Sequence, residues 1–127
     1  MDLSSLETTE RNLYFYYNYA MDSLDLSALT EIGSSLEFYY QDDLEVLSMP
    51  SLTSVGGNMD VSYNDGLTEL SAPLLEELGS SLRLEDDPEL TTVDLSSLTC
   101  VDDYTIEGTN LSEDDHYDLL VQISSGC

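Results

Sequence analysis

The sequence predicts a mainly β protein: a parallel β-solenoid of about four to five 23-residue coils, closed by a short C-terminal helix. Three observations predict it. Apolar residues recur at a fixed 23-residue period. Within each period they alternate in short pairs, as strands do, and form no i, i+3, i+4, i+7 helical stripe. Turn residues interrupt every period, as in Tyr63-Asn64-Asp65-Gly66, Met49-Pro50-Ser51 and Val55-Gly56-Gly57, so no period has room for a long helix.

The coils start at Leu13, Leu36, Met59 and Leu82, with a fifth at Tyr104, one residue early. A half-coil, residues 1–12, precedes them, so the solenoid is expected over 1–111 and the helix and cysteine tail over 112–127. The inward columns read Leu13-Leu36-Met59-Leu82-Tyr104 and, two residues on, Phe15-Phe38-Val61-Leu84-Ile106. Five more apolar columns follow across the first four coils, among them Leu29-Leu52-Leu75-Leu98 and Ile32-Val55-Leu78-Val101. A glycine column, Gly33-Gly56-Gly79, marks a tight corner. No coil can bury its own apolar edge, so coils must stack, with parallel strands pairing at about 4.8 Å.

Polar residues recur as well. Asn18, Gln41, Asn64 and Asp87 share one column five residues after each start. An inward amide there can bond the backbone of the neighbouring coil, so this column is expected to be a structural ladder. In the half-coil, Thr9, Glu10 and Arg11 replace the later Ile-Gly-Ser and Val-Gly-Gly, and their charges can blunt an open sheet edge. At the other end Ser112 is a good N-cap, and Glu113, Asp114 and Asp115 favour a helix N-terminus. Tyr117, Leu120 and Val121, with Ile123 beside them, are expected to form the helix's apolar face, and Gly126 to end it. Cys100 lies in the last coil and Cys127 follows the helix. A bridge between them would pin cap to solenoid, with a contribution of about 3–4 kcal/mol, and would imply an oxidising setting. Two inert thiols are the alternative.

The phrase Leu52-Thr53-Ser54-Val55-Gly56-Gly57-Asn58-Met59-Asp60-Val61, followed by Asn64, Leu67 and Leu70, resembles the leucine-rich repeats of the receptor L-domain type. That pattern occurs in the ligand-binding L domains of insulin and EGF receptors, in fungal GPI-anchored cell-wall proteins and in bacterial surface proteins, the last being the closest in style. The resemblance runs from Leu3 to about Leu111. It implies a right-handed parallel β-solenoid, secreted or on a cell surface, that binds or spaces rather than catalyses. Members share an architecture and no common active site, so no functional residue carries over. The chain departs from the pattern in its acidity, its lack of lysine, and Ser-Ser or Asp-Asp where a second glycine is usual.

Charge excludes several functions. The chain of 127 residues has 27 acids and 2 bases, Arg11 and Arg83, and a net charge of −25. It has no basic patch to neutralise phosphates, which excludes nucleic-acid binding by counterion release. Attraction to an anionic membrane is excluded for the same reason. No apolar run is long enough to span a bilayer, so no direct membrane insertion is expected. The opening Met1-Asp2-Leu3-Ser4-Ser5 has no positive stretch or apolar run, unlike a signal peptide. The chain is expected to be part of a longer repeat array, extracellular or at a cell surface.

Candidate chemistry lies in the tyrosines and the acids. Tyr17, Tyr40 and Tyr63 recur at the coil period and should stack on one corner, with Tyr14, Tyr16 and Tyr39 on the adjoining outward face and Tyr19 nearby. A flat ring with a polar tip suits recognition of a protein or glycan ligand; stacked rings that merely stabilise coil pairing are the alternative. Asp42, Asp43, Asp65 and Asp87 gather acidity at one corner, where stacked like charges repel by about 1 kcal/mol per pair. Calcium would offset that with carboxylate ligands, although no EF-hand loop is present. A solvated, salt-adapted surface or a basic protein partner would do so too. No other cofactor is indicated. Catalysis is not expected. His116 is the single histidine and has no cysteine or second histidine near it in sequence, and no phosphate-binding glycine loop with lysine occurs. Arg83 lies one coil from Asp60 and is expected to pair with it. Asn110-Leu111-Ser112 is a glycosylation sequon that matters only in a eukaryotic secretory pathway.

Overall fold

The computed structural model describes residues 1–99 and 101–125. The chain is a parallel β-solenoid of about four turns with one C-terminal helix. Among the described residues the coils build three parallel sheets. The first stacks β1 (Thr8–Thr9), β3 (Glu31–Ile32), β6 (Ser54–Val55) and β9 (Glu77–Leu78). The second, which carries the candidate site, stacks β2 (Leu13–Tyr16), β4 (Leu36–Tyr39), β7 (Met59–Ser62), β10 (Ser81–Glu85) and β12 (Asp103–Glu107) in that order. The third stacks β5 (Val46–Ser48), β8 (Glu69–Ser71) and β11 (Thr92–Asp94).

The register is the one the repeat predicts. Leu13 pairs with Leu36, Leu36 with Met59, Met59 with Leu82, and Leu82 with Tyr104, so the early start of the last coil is absorbed in the preceding corner. Thr9 pairs with Ile32, which places the half-coil in the same frame. The inward columns form one core, with Leu29, Leu52, Leu75 and Leu98 fully buried and the Phe15 and Phe38 rings stacked at 4.5 Å. Packing is tight enough that the glycine column admits nothing larger. A Cβ on Gly56 would collide with the carbonyl oxygen of Gly33, and one on Gly79 with that of Gly56. Thr30, Thr53, Thr68 and Thr91 each turn their hydroxyl onto a carbonyl one coil back.

The helix α1 (Glu113–Ser125) closes the C-terminal end. Ser112 caps it, its hydroxyl accepting from the Asp115 amide at 3.1 Å. The buried face differs from the one predicted. Leu119 and Ile123, four residues apart, are buried with Leu120 partly so, whereas Tyr117 and Val121 are exposed. Leu119 and Ile123 join the core, and on the same side the Gln122 side-chain amide donates to the carbonyls of Leu95 and Leu98. The Leu95 carbonyl also accepts from the Leu98 amide at 3.0 Å, so the Gln122 side chain ties the helix to the turn that these residues form. The Cys100–Cys127 bridge and the Gly126 cap lie outside the described residues.

Candidate functional site

Strands of the second sheet alternate inward and outward, so Tyr14 and Tyr16 of β2, Glu37 and Tyr39 of β4, Asp60 and Ser62 of β7, and Arg83 and Glu85 of β10 share its outer face. The corner that follows each strand holds Tyr17, Tyr40, Tyr63, Asp86 and Gly108. All five lie in the left-handed region, with φ of 57°, 60°, 59°, 53° and 67°. Glycine takes this conformation freely and the last coil uses it. Three successive tyrosines hold it at about 1 kcal/mol each, so the corner keeps rings where the backbone favours glycine or asparagine.

The rings form a horseshoe. Tyr14 stacks on Tyr16 at 5.3 Å, Tyr16 meets Tyr39 at 5.2 Å with a 38° tilt, and Tyr39 meets Tyr63 at 6.3 Å. The other arm returns along the corner, Tyr63 on Tyr40 at 5.4 Å and Tyr40 on Tyr17 at 4.9 Å, and ends on Tyr19 at 6.1 Å. Between the arms runs a slot of about 250 Å³ lined by Tyr16, Tyr17, Tyr39 and Tyr40. Tyr63, in contact with both Tyr39 and Tyr40, joins the two arms. The predicted tyrosines Tyr14, Tyr16, Tyr17, Tyr39, Tyr40 and Tyr63 are thus brought together.

Carboxylates that the sequence reading had not linked to the rings stand beside this face. The Tyr16 hydroxyl donates to Glu37 and the Tyr39 hydroxyl to Asp60. Desolvation, then these hydrogen bonds, push both phenols well above their ordinary range, so they stay protonated. The Glu85 charge raises Tyr63 as well. The signal was available: donor and acceptor are 21 residues apart in each pair, one coil less one outward step. Asp60 also accepts from the Ser62 hydroxyl. With its oxygens so engaged, Asp60 does not take Arg83 as a partner, although the two are paired in register. The Arg83 guanidinium turns along its own strand to Glu85, which corrects the expected cross-coil ion pair.

The amide column forms the expected ladder through three of its four members. Asp87 Oδ1 accepts from Asn64 N and Nδ2, and Asn64 Oδ1 accepts from Gln41 N at 3.0 Å. Asn64 Nδ2 further donates to the carbonyls of Phe38 and Ser62. Gln41 is one methylene longer; its Nε2 reaches the carbonyls of Phe15 and Tyr39, while its Oε1 has no hydrogen-bond partner among the described residues. Asn18 is half-buried at the first coil and stands outside these bonds.

The proposed calcium set is split. Asp87 is fully buried in the ladder, whereas Asp43 and Asp65 are exposed and Asp42 is half-buried. The cause is alternation: Asp65 is one residue past the ladder position of its coil, and Asp87 occupies that position itself. Among the described residues no group of three or more His, Cys, Asp or Glu side chains is placed to hold a metal ion.

No protein family, curated protein or solved structure matches the chain.

Proposed function

We propose that the chain is a non-catalytic recognition module, secreted or carried on a cell surface within a longer repeat array, and that its tyrosine face binds a ligand. One observation carries the reading: four tyrosines line a slot, and two of them, Tyr17 and Tyr40, hold a left-handed backbone that tyrosine disfavours. Residues held in sparsely populated backbone regions cluster where the side chain has a task. The resemblance of the repeat phrase to surface-exposed L-domain repeats supports the setting. A protein ligand is favoured over a glycan. The acidic surroundings of the rings favour a ligand that carries positive charge, which protein side chains supply and a neutral sugar does not. The chain is not read as an enzyme.

The test is an array of extracellular proteins and glycans probed with the chain and with Tyr17→Asn/Tyr40→Asn/Tyr63→Asn. Asparagine suits the left-handed corner, so the variant keeps the backbone and loses the rings. A ligand retained by the variant would place binding elsewhere.

A second reading is a structural spacer with a salt-adapted acidic surface. It draws on the charge: most of the acids are exposed, and one ion pair, Arg83–Glu85, occurs among the described residues. A spacer would show no ligand that depends on the tyrosines.

A further inference from the structure

We propose that the slot between Tyr16, Tyr17, Tyr39 and Tyr40 takes the guanidinium group of an arginine side chain on a basic protein partner. The inference rests on the tyrosine face being a binding surface and names what it binds.

Three features select a cation. The slot is lined by aromatic rings alone. Two of its four hydroxyl protons are already given to carboxylates, Tyr16 to Glu37 and Tyr39 to Asp60. A phenol that donates to a carboxylate carries more electron density on its ring and oxygen, which strengthens its attraction for a positive group. The slot therefore accepts more than it donates, which suits a group that only donates. Finally, the surrounding field is negative. Glu37, Asp60 and Glu85 share the outer face, Asp42 and Asp43 follow Tyr40, and the one cation on this face, Arg83, is held by Glu85.

Shape and hydration select among cations. The Tyr16 and Tyr39 rings touch each other at 5.2 Å, so a planar group would lie in the slot between the two arms of rings. Guanidinium is planar, weakly hydrated and stacks on aromatic rings, whereas a lysine ammonium must give up a tightly held water shell. A lone alkylammonium ligand would use the slot and leave the wider acidity idle. A basic protein surface would use both, because a chain of net charge −25 attracts it from a distance and the slot then fixes the register.

The experiment is a calorimetric titration of the full chain at about 0.15 M salt with hexa-arginine, hexa-lysine and tetramethylammonium. Hexa-arginine should bind at least about ten-fold more tightly than hexa-lysine, a difference of about 1.4 kcal/mol. Tyr17→Asn/Tyr40→Asn should remove that preference. Asp114→Asn/Asp115→Asn, which removes charge from the helix and leaves the slot intact, should preserve it. Glu37→Gln, whose shape is nearly unchanged, serves as an independent variant and should weaken hexa-arginine several-fold more than hexa-lysine. Equal affinities for the two peptides, or a preference that survives loss of the rings, would mean that net charge alone binds and would overturn the proposal. Tetramethylammonium binding as tightly as hexa-arginine would overturn it in favour of a small-molecule cage. If the arginine peptide fails while the array yields a ligand lost in the tyrosine variant, the arginine assignment falls and the recognition reading stands. If both fail, both fall.

Discussion

Asp87 takes the ladder position that Asn64 holds one coil earlier. Its Oδ1 does what the Asn64 oxygen does, but its Oδ2 stands where Asn64 carries the nitrogen that donates to two backbone carbonyls. That oxygen is buried without a hydrogen-bond partner among the described residues. Burial pushes the carboxyl up to about 7, the charges of Asp60 and Asp86 add to this, and the bonds from Asn64 oppose it. The folded state therefore keeps a proton that the unfolded chain releases near pH 4. This residue's contribution is full below about pH 4 and is lost as pH rises toward 7. Asp87→Asn should raise stability at pH 8 by up to about 4 kcal/mol. It should also flatten the stability profile between about pH 4 and 7, read from chemical denaturation at each pH. A profile unchanged by the substitution would show that other carboxyls set it. The same scale gives a second prediction. Gly56→Ala should cost about 3 kcal/mol, because the added methyl meets backbone that cannot move aside. Ser80→Ala, at an exposed position, should be near neutral in the same denaturation assay.

At the scale of elements, strand positions were readable because period and alternation fix them together. Every column of the second sheet pairs as the repeat assigns, although Tyr104, expected inward on the last strand, is exposed. The tyrosine rows were readable for the same reason. What the sequence did not disclose was the reach of side chains between columns. Tyr16 to Glu37, Tyr39 to Asp60 and Arg83 to Glu85 are diagonal or along-strand choices that a column alignment ranks equally. The left-handed corner was also hidden, because tyrosine is not a residue that announces it. The helix shows the limit most plainly. Tyr117, Leu120 and Val121 look apolar, yet the buried pair is Leu119 and Ile123, with Gln122 bonded to the Leu95 and Leu98 carbonyls on the same side. Ile123→Ala should therefore cost about 3–4 kcal/mol, whereas Tyr117→Ala should change stability by less than about 0.5 kcal/mol. Equal costs from the two in thermal melts would restore the face read from sequence.

At the scale of the whole molecule, 27 acids against 2 bases make self-repulsion a standing load on the fold. Screening should relieve it without regard to the identity of the cation. The melting temperature should climb with molar KCl, and millimolar calcium should add nothing beyond its ionic strength. A calcium shift reversed by EDTA would reinstate a metal role for the acidic corner, since a ligand that binds only the folded state raises the midpoint by mass action. The charge also bears on association. Loss of hexa-arginine affinity with salt should be steep, and the tyrosine variant should retain that slope while losing the preference for arginine over lysine. The slope belongs to the molecule and the preference to four rings.

The corner column carries one more implication. Its rings advance by one for each coil and stop at Tyr63, because the next coil places Asp86 there. The corner row is thus a ruler graduated in coils, and its length changes only in whole steps of about 4.8 Å. Asp86→Tyr would extend the row by one graduation without disturbing the columns inside. Inserting or deleting a complete 23-residue coil would lengthen or shorten the ruler while leaving every inward contact in phase.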